Sequence, residues 1–198
     1  MVKETVRLAA VFMLIAVIIG CGGQKPAQAP QAQKPVEPAF VAQIKTLDTM
    51  FVASKSLVGP YSGTGQAIGE LFAWMEKNKV LATGAPFGIF MDNPAEVKPE
   101  STRFKVCVPV PAGTKGDKQA NITIEKFGGM TVAATEYIGP YDKVQPTYEK
   151  LTKWIGDNNY QIIGPGMEFY LSDPTKTPPE SLRTEICFPV KQMPAPEK

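Results

Sequence analysis

Apolar and polar positions between residues 40 and 190 follow two periods, and the same order of segments occurs twice. Runs rich in β-branched and aromatic residues, such as Met50–Val58 and Met130–Ile138, have the composition of β-strands. Each run ends at Gly-Pro-Tyr, a turn sequence. Apolar residues then recur every three or four positions, which predicts helices near Thr64–Lys79 and Val144–Asn159. Two further strand-like segments close each unit, so a βαββ unit is predicted twice.

The two units are copies of one another. With an offset of eighty residues, Met50–Val110 aligns with Met130–Val190 without a gap and with about eighteen identities in sixty positions. The identities fall at matching structural places, for example Trp74 and Trp154 in the helices and a Pro-Glu-Ser segment before each last strand. Self-similarity at a fixed offset indicates an internal duplication.

The predicted fold class is therefore α+β. Duplicated βαββ modules with pseudo-twofold symmetry are expected to form an antiparallel sheet, with two helices on one face and a ligand groove on the other. Repeat 1 covers about residues 40–111 and repeat 2 about residues 120–191, within one domain of residues 39–191. A chain of this length can bury a core of its own. Residues 192–198 are polar and proline-containing and are predicted to be a flexible tail.

The first twenty residues have the composition of an export signal. Lys3 and Arg7 precede an apolar run, Leu8–Ile19, that is shorter than the roughly 20 residues a membrane-spanning helix needs. The run leads into Ile18-Ile19-Gly20-Cys21, which resembles the lipobox of bacterial lipoproteins. This resemblance implies cleavage after residue 20 and attachment of lipid to Cys21. The alternative is an uncleaved anchor helix with an incidental cysteine.

A mobile tether is predicted between Cys21 and the folded domain. Residues 21–38 are rich in proline, glutamine and alanine and contain no aromatic residue. Such a segment does not bury enough apolar surface to fold. We therefore expect a lipid-anchored protein of the bacterial cell envelope, attached to a membrane through Cys21 and facing the periplasm or the exterior. Gly22, rather than aspartate, follows the cysteine and favours an outer membrane.

Charge and composition exclude several classes of function. A net charge of +2 without a basic run offers no surface for nucleic acid, and the chain contains no histidine. The absence of histidine excludes Ser-His-Asp and Cys-His catalysis, histidine metal sites and histidine-ligated haem. We expect a monomer with no metal and no cofactor. Cys107 and Cys187 occupy equivalent positions, and both a disulfide and two buried thiols remain open.

The chain contains four motifs: Gly-Pro-Tyr, a Leu-x-x-Trp helix, Glu-x-Tyr-x-x-Asp-Pro, and Pro-Glu-Ser-x-Arg-x-x-x-Cys-x-Pro-Val. Together they resemble the GyrI-like domain, which is also the effector-binding domain of some AraC- and MerR-type regulators. The resemblance covers the folded part of the chain. It implies two βαββ modules side by side with a ligand pocket between them, and a pocket glutamate in the third strand of the second module. The matching residue is Glu168.

The comparison of the two repeats singles out the same glutamate. Strand alternation puts Glu168 and Tyr170 on one face, where the first repeat has Gly88 and Phe90. One half thus offers a carboxylate and a phenol, and ligand pockets combine apolar walls with a few polar groups. A surface position for Glu168 and structural roles for the repeated tyrosines are the alternatives. The candidate ligand-binding residues are Glu168, Tyr170, Tyr137, Phe90, Tyr141 and Tyr61.

Three functions fit this sequence. The first is a membrane-anchored extracytoplasmic protein that binds small amphipathic molecules, cations among them, whose charge would pair with Glu168. The second is a hydrolase of strained electrophilic compounds that uses Glu168 as general base. The third is an envelope lipoprotein that binds a protein partner. The sequence favours binding over catalysis and assigns no catalytic residue outside the hydrolase alternative.

Overall fold

The structure is a computed structural model and describes residues 40–194. The predicted signal segment, Cys21 and the predicted tether lie outside the described residues, as does most of the predicted tail. No helix among the described residues is long and apolar enough to cross a membrane. The strands are β1 (Ala42–Leu47), β2 (Met50–Val58), β3 (Phe87–Phe90), β4 (Arg103–Val110), β5 (Thr123–Phe127), β6 (Met130–Ile138), β7 (Tyr160–Ile162), β8 (Gly166–Tyr170) and β9 (Arg183–Gln192), and the helices are α1 (Thr64–Lys77) and α2 (Gln145–Asp157).

Eight of these strands follow one another across one antiparallel sheet in the order β1-β6-β9-β8-β3-β4-β2-β5, and β7 pairs with β9. The order is symmetric about its centre, where β3 of the first repeat pairs with β8 of the second. The first strand of each repeat pairs with the second strand of the other repeat, and in this sense the first strands are exchanged. Strand β1 lies beside β6, and β5 lies beside β2. The repeats are thus joined at the centre of the sheet and at both edges.

The sheet is curled, and the face away from the helices encloses the central core. Phe87 and Phe169 stack there with ring centroids 4.5 Å apart, and buried valines of β2 and β6 pack around them. Two smaller cores lie between the sheet and the helices. They centre on Leu71 of α1 and its equivalent, Leu151 of α2, both fully buried. Each buried leucine contributes about 1.5–3 kcal/mol to stability.

The predicted α+β class, antiparallel sheet and two helices on one face are confirmed, and α1 and α2 lie where the periodicity predicted them. The predicted position of the groove is wrong. It lies on the helix face, between α1 and α2, because the Phe87–Phe169 core fills the opposite face. Strand β7 was not predicted. Its pairing extends β9 to Gln192, one residue beyond the predicted end of the domain.

The two cysteines of the domain are separate thiols. Cys107 and Cys187 are fully buried, and strands β3 and β8 lie between the strands that carry them. Burial raises the pKa of each thiol to about 12. Since the thiolate is the reactive form of cysteine, both residues act as small apolar side chains of the core.

Candidate ligand-binding site

A cavity of about 1840 Å³ opens between the two helices. Its floor is formed by β3 and β8, the central strands of the sheet, and its walls by α1, α2 and the turns that precede them. Both repeats contribute, so the cavity lies on the pseudo-twofold axis. It exceeds the roughly 300–1,000 Å³ of most small-molecule pockets and has room for a bulky ligand.

Glu168 is the buried carboxylate on the floor of this cavity. The residue is 9% exposed. Tyr148 Oη donates a hydrogen bond to its Oε1 at 2.9 Å, and Tyr170 Oη donates to its Oε2 at 3.0 Å. Burial raises the pKa of Glu168 above its ordinary value of 4.5, while the two phenol hydrogen bonds act in the opposite direction. No basic side chain of the described residues forms an ion pair with this carboxylate.

Both phenols keep their proton and can therefore donate hydrogen bonds. Burial first, and then the negative charge of Glu168, raise the pKa of Tyr148 and of Tyr170 well above the ordinary value of 10.0. The ring of Tyr148 also packs edge-on against Phe188, with centroids 5.7 Å apart. The two donors stabilise the carboxylate without neutralising it, since a phenol carries no positive charge.

The alternation of β8 places Glu168 and Tyr170 in the cavity and Met167 and Phe169 in the central core. This assignment agrees with the sequence prediction. The polar pair and the apolar pair occupy opposite faces of one short strand, so the carboxylate is supported from behind by tightly packed side chains. A rigid floor of this kind holds a charged group in a fixed position.

Gly88 is the equivalent of Glu168 and its direct partner across β3 and β8. A Cβ atom at Gly88 would lie 2.8 Å from Cζ of Phe90 and 3.3 Å from Oη of Tyr170. The first contact is closer than carbon atoms pack without displacement. The missing side chain therefore makes room for the aromatic rings beside the carboxylate.

Tyr61 and Tyr141 are equivalent residues with different hydrogen bonding. Tyr61 packs edge-on against Phe90 at 4.8 Å, and Tyr141 packs edge-on against Tyr170 at 5.3 Å. Tyr61 Oη donates to the carbonyl of Asp92 at 2.7 Å and accepts from the N–H of that residue at 3.0 Å. Tyr141 makes no comparable bond to the described residues and is 37% exposed. The first tyrosine is fixed to the backbone, and the second faces the cavity.

Five of the six predicted ligand-binding residues line the cavity, namely Tyr61, Phe90, Tyr141, Glu168 and Tyr170. The sixth, Tyr137, does not. Its ring lies against the α2 core, and its hydroxyl donates to the carbonyl of Pro140 at 2.9 Å. Tyr137 lies on the strand before the Gly-Pro-Tyr turn, and its phenol bonds to the backbone of that turn instead of entering the cavity.

Tyr148 is the site residue that the sequence analysis missed. The helical spacing of the second repeat includes Tyr148 at the position that Ile68 occupies in the first, so periodicity alone groups it with the apolar residues of the helix. A phenol in place of an apolar residue at one equivalent position was the available signal. In the described residues, no group of three His, Cys, Asp or Glu side chains is arranged to hold a metal ion.

The duplicated fold and the cavity between its helices define a class of small α+β domains that bind ligands between two repeats. The family model of the GyrI-like small molecule binding domain matches residues 42–191. The chain belongs to this GyrI-like family, and the resemblance seen in its sequence is confirmed.

Relatives and solved structures agree with the assignment. A DNA gyrase inhibitor of Cronobacter turicensis is 30% identical over 129 residues, which cover 63% of this chain and 82% of that protein. The crystal structure of the EcmrR C-terminal domain matches with a TM-score of 0.69 and 24% identity, over 78% of this chain and 99% of that chain. A hydrolase from Listeria innocua matches with a TM-score of 0.58 and 14% identity, over 76% of this chain and 91% of that chain. These two structures share the fold.

Proposed function

We propose that this domain is a receptor for an amphipathic, cationic small molecule, which binds between α1 and α2 with its positive charge against Glu168. We further propose that the receptor is lipid-anchored through Cys21 in the bacterial cell envelope, outside the cytoplasm. The family match favours small-molecule binding over the hydrolase and protein-partner alternatives.

The observation that carries the proposal is a buried carboxylate with only neutral partners. Glu168 is 9% exposed and is hydrogen-bonded to two phenols. A buried charge is costly unless it is paired, and a ligand cation would supply the missing partner. The rings of Tyr141, Tyr170 and Phe90 line the same cavity. Cation–π attraction to such rings adds about 0.5–2 kcal/mol.

The anchoring part of the proposal is supported by the sequence alone. A short apolar run ends in Ile18-Ile19-Gly20-Cys21, and a proline-rich segment follows the cysteine. A diacylated or triacylated cysteine holds a protein on a membrane far more firmly than a single chain does. The test is metabolic labelling with a clickable palmitate analogue in a bacterial host. We expect labelling of the wild type and none of Cys21→Ser; equal labelling of both would overturn lipidation at this residue.

Binding is tested by calorimetric titration of the purified protein with tetraphenylphosphonium, a bulky lipophilic cation. We compare the wild type with Glu168→Gln and with Glu76→Gln, which removes a helix carboxylate outside the cavity. We expect saturable binding by the wild type and by Glu76→Gln, with at least about tenfold weaker binding by Glu168→Gln, the cost of leaving a desolvated cation unpaired.

Thermal unfolding gives a second readout of the same proposal. A ligand at 100 times its Kd stabilises a folded protein by about 2.7 kcal/mol, which appears as a rise in Tm. A panel of lipophilic cations, neutral amphiphiles and anions should stabilise the wild type in that order of preference. Stabilisation by anions rather than cations, or no response to any compound, would overturn the proposal.

A further inference from the structure

The negative charge of the cavity comes from one repeat. Three carboxylates line the cavity without a basic partner among the described residues, namely Asp142, Glu149 and Glu168. All three belong to the second repeat. Their equivalents in the first repeat are the small residues Ser62, Gly69 and Gly88. At three positions around one cavity, the second repeat thus has a carboxylate where the first repeat has a small residue.

The other charged groups of the cavity wall are already paired. Asp92 is held by Arg103 through three side-chain hydrogen bonds, the shortest of which is 2.6 Å. Asp173 pairs with Lys176 at 3.0 Å, and Lys153 pairs with Asp157 at 2.6 Å. Within each of these ion pairs, the two opposite charges neutralise one another. The net field inside the cavity is thus set by the three carboxylates of the second repeat.

The two helical walls differ in polarity as well. On α1 the cavity is lined by Thr64, Gly65, Ile68, Gly69 and Phe72, and the Thr64 hydroxyl donates to the carbonyl of Tyr61 at 2.7 Å. The positions on α2 equivalent to the last four hold Gln145, Tyr148, Glu149 and Thr152, and all four also line the cavity. Apart from Thr64, the wall formed by α1 is apolar and contains two glycines, whereas the wall formed by α2 offers hydroxyl, amide and carboxylate groups together with the paired Lys153. A ligand between them meets an apolar surface on one side and an acidic surface on the other.

The acidic groups also differ in depth. Glu168 lies on the floor and is 9% exposed. Glu149, on the first turns of α2, and Asp142, in the turn before it, are exposed to solvent. Negative charge therefore extends along the second repeat from the floor of the cavity to its mouth.

We propose that the preferred ligand is an elongated amphiphile with a positive charge at each end. One cationic group pairs with Glu168 on the floor, and the second lies at the mouth against Glu149 and Asp142. The apolar body between them packs against Ile68 and Phe72 of α1. This inference rests on the proposed function, since it takes the cavity as the binding site of a cationic ligand.

The test uses two probes of the same chain length, one of which carries a second trimethylammonium group. Decyltrimethylammonium has one quaternary ammonium on a ten-carbon chain, and decamethonium has one at each end of the same chain. Either end of decamethonium can enter the cavity, which alone gives it an advantage of about twofold; with a further threefold from an exposed ion pair, we expect calorimetric titration of the purified protein at low salt to give an advantage of about sixfold. The advantage should shrink in about 0.5 M salt, which screens exposed charges.

Two variants separate this inference from the proposed function. The double variant Asp142→Asn with Glu149→Gln should reduce the advantage of decamethonium over decyltrimethylammonium to about the twofold that its two equivalent ends give. The control Glu76→Gln, with the same loss of charge outside the cavity, should keep the advantage. An advantage of about twofold or less in the wild type would overturn the two-charge ligand while leaving the cation receptor intact. Failure of both probes and of tetraphenylphosphonium to bind would overturn the receptor itself.

Discussion

Gly88 and Glu168 are equivalent residues of the two repeats and are also paired directly across β3 and β8, at the centre of the sheet. The pseudo-twofold axis thus passes between a residue without a side chain and a buried carboxylate. In a fully symmetric domain, two identical side chains would meet at this point. Two facing carboxylates would repel one another, and one of them would have to stay protonated. Glycine at one of the two positions leaves a single charge with space around it.

The first prediction concerns that space. Gly88→Ala adds a Cβ atom that would lie 2.8 Å from Cζ of Phe90. The ring end of a side chain yields more easily than backbone, so we expect the free energy of unfolding to fall by less than about 1 kcal/mol. The displaced ring enters the cavity beside Glu168. The affinity for tetraphenylphosphonium, measured by calorimetry, should therefore fall at least about threefold.

Gly65→Ala is the matched control, because it adds the same methyl group to the cavity wall where no atom lies within 4 Å. This variant should bind tetraphenylphosphonium as the wild type does. Equal affinities of Gly88→Ala and Gly65→Ala would show that the position of the Phe90 ring does not matter for binding.

The second prediction concerns pH. Because burial raises the pKa of Glu168 above 4.5, the folded domain binds this proton more tightly than the unfolded chain. The folded state carries more protons between the two pKa values, so this residue lowers the stability of the empty domain as pH rises through that window. Glu168→Gln should gain stability relative to the wild type over the same rise, as measured by urea unfolding at a series of pH values.

Ligand affinity should have the opposite pH dependence. Tetraphenylphosphonium carries a fixed charge, so only the protein titrates, and binding needs the ionised carboxylate. The affinity of the wild type should fall as pH is lowered through the raised pKa of Glu168. An affinity that stays constant from neutral pH to about pH 4.5 would contradict a charge pairing with this residue.

The third prediction assigns the two phenols a positioning role. Tyr148 and Tyr170 lower the pKa of Glu168 by donating hydrogen bonds to it. Tyr148→Phe removes one donor and keeps the ring, so the midpoint of the pH dependence of binding should move up by as much as about one unit. Tyr170→Phe should act in the same direction. Tyr160→Phe, a phenol outside the cavity, serves as the control and should leave the midpoint unchanged.

A good part of this fold follows from the sequence. The eighty-residue offset sets the two units, helical spacing locates α1 and α2, and strand alternation puts Glu168 and Tyr170 on the same face. These features are local, so periods of 3.6 and 2 residues are sufficient to recover them. The same alternation in β3 and β8 places Phe90 and Tyr170 on the face that carries Glu168.

The position of the groove and the role of Tyr148 are not local. Periodicity says which side of a helix packs on the sheet, but not that two helices stand apart and leave the central strands open between them. Tyr148 therefore looked like an ordinary member of an apolar stripe. The exchange of β1 and β5 was also hidden, because both repeats have the same pattern and each first strand fits beside either second strand equally well.

The last prediction concerns what selects the exchanged pairing. Lys45 of β1 pairs with Glu185 of β9 at 2.6 Å, and Lys105 of β4 pairs with Glu125 of β5 at 2.8 Å. Lys45 is equivalent to Glu125, and Lys105 is equivalent to Glu185. The first repeat thus supplies two lysines and the second two glutamates. If each first strand stayed in its own repeat, the same positions would place lysine beside lysine and glutamate beside glutamate.

Charge reversal tests this selection. Lys45→Glu should lower the free energy of unfolding by about 1 kcal/mol, since the partly exposed pair becomes a repulsive one. The double variant Lys45→Glu with Glu185→Lys should recover most of that loss in urea unfolding. Lys126→Glu, a reversal of an exposed lysine that has no ion pair among the described residues, should cost little. If the double variant were as unstable as the single one, the energy would come from packing of the exchanged strand, and charge would not distinguish the two pairings.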